Sequence, residues 1–227
     1  MPSIVAETGL LIALAITPPP SDNGDIAADE DAECTIPEGW QDVAEREPRH
    51  VVFGELHGTR QAPAFLGSLA CALARKGERI LVAIELSFKD DPALQAAWNS
   101  SQDSFDEAVL LGGWAERADG VGSEAMFDLV GGLYRMKERG FEIGITAFSG
   151  PRDANPRHRF SHLPGQGPHE AAQAENIHRA ARSGDYDRVL ILVGDLHALK
   201  VRVDGFGPAF DPMARHGTSL VMERPSR

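Results

Sequence analysis

A mostly parallel β-sheet flanked by helices is the fold class this sequence predicts. Two observations carry it: short apolar runs alternate with stretches of helical periodicity along most of the chain, and no internal repeat or linker interrupts the alternation. Val51 to Glu55 is a short apolar run closed by glycine-containing sequence, and it predicts the first strand. Residues 62–76 follow with Phe65, Leu69 and Leu73 at helical spacing and Gly77 as a stop. Ile80 to Leu86 is the second strand, and Pro92 opens a helix that runs to about Trp98. A less regular stretch containing Gly112 and Gly113 leads to a long helix from Glu124 to Arg139, which Gly140 ends. Phe141 to Phe148 predicts the third strand. The loop from Ser149 to Pro168 is rich in Pro, Gly, Arg and His, and it reads as a site loop because strand and helix alternation resumes beyond it. A helix from about His169 to Arg182, a strand from Arg188 to Val193 and a last strand from Ser219 to Met222 complete the pattern.

Length and composition set the class. The 227 residues contain 42% hydrophobic and 25% charged residues, an ordinary globular balance that needs no staple to form a core. The net charge of −12 is unevenly placed. Residues 1–45 carry ten acidic side chains and no Lys or Arg, so the remaining body is nearly neutral and offers no broad basic face to nucleic acid. We therefore expect a leader over residues 1–45 and a single α/β domain over 46–227. Within the leader, an apolar stretch from Gly9 to Ile16 precedes Pro18-Pro19-Pro20 and a polar acidic segment. The apolar stretch has the length of a secretory signal core but is preceded by Glu7 rather than a basic residue; a disordered cytosolic tail is the other reading. A periplasmic or secreted location is placed ahead of a cytoplasmic one. No run is long enough to span a bilayer. Cys34 and Cys71 are the two cysteines, and an exported chain would use the pair to tie the end of the leader to the first long helix.

In an open parallel sheet ligands bind beyond the carboxyl ends of the strands, and here those ends are polar. The first strand leaves through Gly54-Glu55-Leu56-His57-Gly58, the fourth through Gly194-Asp195-Leu196-His197, and the second ends on Glu85. A carboxylate and an imidazole two residues apart, repeated on two strands and joined by Glu85, form a set suited to general acid–base chemistry or to a metal of borderline softness. Arg60, three residues past His57, and Arg152 in the long loop are placed to hold an anionic substrate group or a developing oxyanion. Glu175 and Asn176 on the helix before the fourth strand, together with Asp195, complete the expected substrate-binding and supporting set. Glu170, His178 and Arg179 have the spacing of a solvated helix face. The Gly-x-Ser-x-Gly elbow, the phosphate loop and the His-Glu-x-x-His helix are all missing, which removes support from serine hydrolase, P-loop and zincin readings. Gly120-Val121-Gly122 does not follow a strand and is a poor dinucleotide fingerprint.

Residues 53–59, Glu85, the segment Ala174-Glu175-Asn176-Ile177 and residues 193–197 together resemble the superfamily that joins ChaN-like haem-uptake proteins, Tiki/TraB proteins and erythromycin-esterase-like hydrolases. The resemblance spans most of residues 48–200. It implies an α/β domain with Glu55, His57, Glu85 and His197 gathered in one catalytic crevice. Branches of that superfamily differ in chemistry: metal-dependent proteolysis, macrolactone opening by Glu and His through activated water, and haem binding. The expectation for this chain is a hydrolase acting on an ester- or amide-like bond of a small molecule or peptide. Glu55, His57, Glu85 and His197 would ligate a divalent metal (Mn, Zn or Fe) if one is used; a site without any cofactor is the other form. The alternative is a haem-binding protein without turnover. Haem ligation in that branch is associated with tyrosine, and the two tyrosines here, Tyr134 and Tyr186, lie away from the strand ends; His158 and His162 of the loop are the substitutes on offer.

Overall fold

A computed structural model of the chain describes residues 34–114, 117–150, 157–198 and 219–222. The described elements run α1 (Trp40–Ala44), β1 (His50–Glu55), α2 (Gln61–Arg75), β2 (Ile80–Ser87), α3 (Asp91–Trp98), α4 (Gln102–Val109), α5 (Glu124–Glu138), β3 (Ile143–Ser149), α6 (Arg157–Phe160), α7 (Gly167–Ser183), β4 (Arg188–Gly194) and β5 (Ser219–Met222). All pairings are parallel and the order is β3-β2-β4-β1-β5, a core of four strands with β5 added at the edge beside β1. The predicted fold class is therefore the observed one.

Side chains alternate across the sheet and divide the core into two layers. Val51 and Phe53, Val82 and Ile84, Ile145 and Ala147, and Leu190 and Leu192 face one way, against buried residues of α2, α3, α4 and α5. Val52, Leu81, Ala83, Val189, Ile191 and Val193 face the other way, against Ala174, Ile177 and Ala181 of α7. Being covered on both faces explains why the strands read as unbroken apolar runs. Right-handed crossovers account for the order: helices between β1, β2 and β3 lie on one face, while α7 lies on the other, so the chain turns back and inserts β4 between β2 and β1.

Local chemistry sets the ends of the helices. Gly77 adopts φ +88° and its N–H bonds to Ala74 O at 2.9 Å while Glu78 N–H reaches Leu73 O at 3.2 Å, a left-handed cap that only glycine adopts without strain. Ser123 caps α5 by accepting a hydrogen bond from Met126 N at 3.4 Å.

Three expectations need correction. The leader does not extend to residue 45: Trp40 on α1 is buried in the larger core layer, and Arg188 stacks over its ring at 5.8 Å. The acidic charge of residues 38–45 hid a single aromatic anchor. The stretch around Gly112 and Gly113 is more regular than expected, because α4 precedes it and continues into a π-helical turn over Leu110–Trp114. Phe105 and Val109 give α4 its buried stripe. The loop after β3 contains the short helix α6, while its residues 151–156, including Arg152, lie outside the described residues. Cys34 and Cys71 are joined in a disulfide, with Cα atoms 5.3 Å apart and a sequence separation of 37. Thr35 N–H donates to Ser68 Oγ at 2.9 Å beside it, so the start of the body is tied to α2 covalently and by hydrogen bonds.

Candidate functional site

The insertion of β4 between β1 and β2 brings the three polar strand ends together. Parallel register puts Glu55 opposite Gly194, and both strands then curl into turns: Thr59 N–H bonds to Leu56 O at 3.2 Å, and His197 N–H to Gly194 O at 2.9 Å. On β2 a bulge intervenes, since Ile84 pairs with Ala147 but Ser87 pairs with Ser149, three residues against two. Such an irregularity re-aims side chains at a strand end, and it falls on Glu85.

The result is a chain of alternating carboxylates and imidazoles. Glu55 Oε1 lies 2.9 Å from His57 Nδ1. His57 Nε2 faces Glu85 Oε2 at 3.5 Å, and the other oxygen of Glu85 faces His197 Nε2 at 3.6 Å. His197 Nδ1 lies 2.6 Å from Glu170 Oε1. Glu85 is held in the middle by Gly194 N–H, which donates to its Oε2 at 2.7 Å. A carboxylate is an acceptor, so both imidazoles carry a proton on Nδ1 and turn Nε2 toward Glu85. The two Nε2 gaps, 3.5 and 3.6 Å, are longer than good hydrogen bonds.

Burial tunes these groups. Glu55 and Glu170 are each 3% exposed, whereas the side chains of His57 and His197 are 30% and 21% exposed, so solvent reaches the imidazoles and not the carboxylates behind them. Burial pushes the Glu55 carboxyl above its ordinary range, opposed by its hydrogen bond to His57. His197 is shifted upward, chiefly by its hydrogen bond to Glu170, with burial acting in the opposite sense. Glu55 Oε2 and Glu170 Oε2 are buried without a hydrogen-bond partner among the described residues.

Each motif glycine is required by the other motif. A Cβ on Gly194 would stand 3.0 Å from His57 Nε2, and one on Gly54 would stand 2.9 Å from Asp195 Oδ1. The poor fingerprint Gly120-Val121-Gly122 also finds its use here: Gly120, at φ +79°, packs its Cα side against the backbone of His57 and Gly58, where a Cβ would meet atoms at 2.9 Å.

The four predicted principal residues Glu55, His57, Glu85 and His197 do meet, but the twin motifs are not alike. Asp195 does not partner His197 as Glu55 partners His57; its side chain lies over Gly54 and its N–H donates to Glu55 O at 2.8 Å. Glu170 takes that place, which corrects its assignment to a solvated face. It shares a helical stripe with Ala174, Ile177 and Ala181, and this spacing was the signal in the sequence. His178 is likewise turned inward, with its ring 5.2 Å from that of His50. His169, also unforeseen, brings its ring within 5.9 Å of His197 and bonds through Nε2 to the buried Gln173.

Other expected contributors lie elsewhere. Arg60 is 82% exposed and pairs with Glu124 at 3.3 Å. Glu175 points outward to Arg159 and Arg179. Asn176 is buried but structural, donating to Phe148 O at 3.0 Å and Gly150 O at 2.6 Å to pin the end of β3. Tyr134 donates to Ser100 O at 2.7 Å inside an aromatic cluster with Trp98 and Phe105, and Tyr186 packs against Gly144 near the start of β3, so neither tyrosine is at the site. His162 is exposed, and the side chain of His158 lies outside the described residues. Glu55, His57, Glu85 and His197 are N and O donors that suit Zn or Mn in type. In the arrangement seen they pair with one another, and among the described residues no three His, Cys, Asp or Glu side chains converge as a metal-binding group.

No family model and no curated protein matches the sequence. Among solved structures the chain resembles the type III effector HopBA1, with a TM-score of 0.47 and 16% identity over 76% of this chain and 75% of that one. It also resembles a structure described as bacterial protein toxins, with a TM-score of 0.49 and 14% identity over 85% of this chain; the match spans 38% of the other chain's length.

Proposed function

We propose that the protein is a hydrolase in which two oriented histidines activate water against an ester- or amide-like carbonyl. The observation that carries the reading is the pair of Glu–His contacts, Glu55–His57 and Glu170–His197, whose Nε2 atoms both face Glu85. A histidine with its Nδ1 proton held by a buried carboxylate presents Nε2 as a base, and the carboxylate stabilises the imidazolium that forms.

His57 Nε2 takes a proton from water as the water oxygen attacks the carbonyl carbon. The carbonyl electrons move to oxygen to give a tetrahedral oxyanion. His197, shifted upward chiefly by its hydrogen bond to Glu170, acts in its protonated form and donates from Nε2 to the leaving oxygen or nitrogen as that bond breaks. Glu85, between the two rings, passes the surplus proton from His57 back to His197. Substrates are small esters, lactones or short peptides. The Cys34–Cys71 disulfide supports an exported, periplasmic or secreted location, since cytosolic thiols are kept reduced. Among the described residues no helix is long and apolar enough to cross a membrane.

A panel of aryl esters, lactones and peptide amides tested on the purified full chain checks the reading. Turnover of at least one class is expected, with kcat/KM lowered about 100-fold or more in His57→Ala and in His197→Ala, and with no loss after dialysis against a chelator. A folded chain inert to the whole panel, or variants as active as the parent, would sink it.

A further inference from the structure

We propose that Glu170, in the first turn of α7, is a positioning residue that holds His197 with its proton on Nδ1 and its Nε2 turned to Glu85, as Glu55 does for His57. The inference rests on the hydrolase reading above and adds α7 to a site otherwise built from strand ends.

Four features support it. The Glu170–His197 contact, at 2.6 Å, joins elements 27 residues apart and closes the chain of contacts that Glu55 opens. Glutamate is almost never fully buried without a partner, and Glu170 is buried on α7 together with Ala171, Ala174, Ile177 and Ala181 and with the polar Gln173 and Asn176, each of which has a hydrogen-bond partner of its own. One of its oxygens is spent on His197 and the other has no partner among the described residues, so the contact to His197 is what its burial achieves. Finally, its place in the first turn of a 17-residue helix is where an acidic side chain is best tolerated. The adjacent His169 ring lies against a second side of His197, so one turn of helix restrains both the hydrogen bonding and the tilt of that imidazole.

The test reads the tautomer directly. Long-range nitrogen–proton NMR spectra of the 15N-histidine-labelled full chain are recorded for the parent, E170L and E170Q. In the parent, neutral His197 carries its proton on Nδ1. In E170L, which replaces a buried carboxyl group by an apolar group of similar size, the proton moves to Nε2, the site a free imidazole prefers. Melting temperature holds or rises in that variant. Its kcat falls about 10- to 100-fold while KM stays within about threefold. In E170Q the amide oxygen accepts the same proton, so the Nδ1–H form persists and kcat recovers to within about tenfold of the parent. An unchanged tautomer in folded E170L, or an E170Q no different from E170L, overturns the assignment. The spectra need no turnover, so failure of the hydrolase reading and failure of this one are separately visible.

Discussion

The two ends of the parallel sheet treat histidine in opposite ways. At the carboxyl end His197 sits against Glu170 and is shifted upward by that hydrogen bond. At the amino end His50, the first residue of β1, is 2% exposed; neither ring nitrogen has a hydrogen-bond partner among the described residues, and burial, with His178 and Arg49 adding to it, pushes the ring down to about 4. Two arginines at the amino end are held in ion pairs, Arg79 with Asp187 at 2.8 Å and the part-buried Arg188 with Glu78 at 3.0 Å. The same residue type is thus a packed ring at one end of the sheet and a carboxylate-paired ring at the other. A carboxylate within hydrogen-bonding reach makes the difference.

Breaking the shared carboxylate should have the largest effect. Glu85→Ala removes the group between the two Nε2 atoms and the acceptor of Gly194 N–H, and kcat/KM is expected to fall on the order of 10²- to 10⁴-fold; steady-state kinetics on any substrate the parent turns over measures it. A loss below tenfold would mean that the two histidines act independently.

The amino end should reveal itself through stability in acid. His50 binds a proton in the unfolded chain at about pH 6.5 and in the folded chain only near pH 4, so folding stability is full above pH 6.5 and falls as the pH drops toward 4. The shift amounts to about 3 kcal/mol. His50→Leu should flatten the urea-derived stability profile between pH 4 and 6.5 by about that amount and leave activity in place. An unaltered slope would show that other groups set the acid limit.

Matched glycine substitutions sharpen the contrast. A Cβ at Gly194 meets a ring nitrogen of His57 at 3.0 Å, so Gly194→Ala should displace that ring by a few tenths of an ångström. Activity is expected to drop about 10- to 100-fold with little change in melting temperature. Gly144→Ala, near the other end, places its Cβ against the Tyr186 ring and should destabilise by about 1–3 kcal/mol through overpacking while sparing kcat. Thermal melts and kinetics on the two variants would refute the division of labour if both lost the same property. The smallest effect belongs to Arg60→Ala: an exposed pair with Glu124 supports less than about 0.5 kcal/mol, and activity should stay within about twofold.

Much of the fold was legible because strands covered on both faces are apolar throughout and the three long helices α2, α5 and α7 are followed by Gly77, Gly140 and Gly184. What escaped notice had a physical cause in each case. Trp40 lay among acidic residues, α4 carries only Phe105 and Val109 as its buried stripe, and Glu170 stood in a helix whose inner face is mostly alanine, a residue that marks burial weakly. For the site, the strand-end residues Glu55, His57, Glu85 and His197 were readable from motif and position. The stripe that Glu170 shares with Ala174, Ile177 and Ala181 marks it as inward-facing, but its partner, and the place of His169, depend on which face of the sheet α7 covers.

The sequence by itself determined the alternation of strands and helices, the clustering of acids and imidazoles at strand ends, and the two glycines that let those ends approach. Periodicity and backbone freedom are local properties, written in consecutive residues. Only the tertiary structure decided that β4 enters between β1 and β2, that Glu85 stands between two imidazoles, and that Glu170 rather than Asp195 completes the second pair. Those outcomes follow from crossover handedness and from packing α7 on the opposite face, which bring together residues separated by tens of positions in the chain.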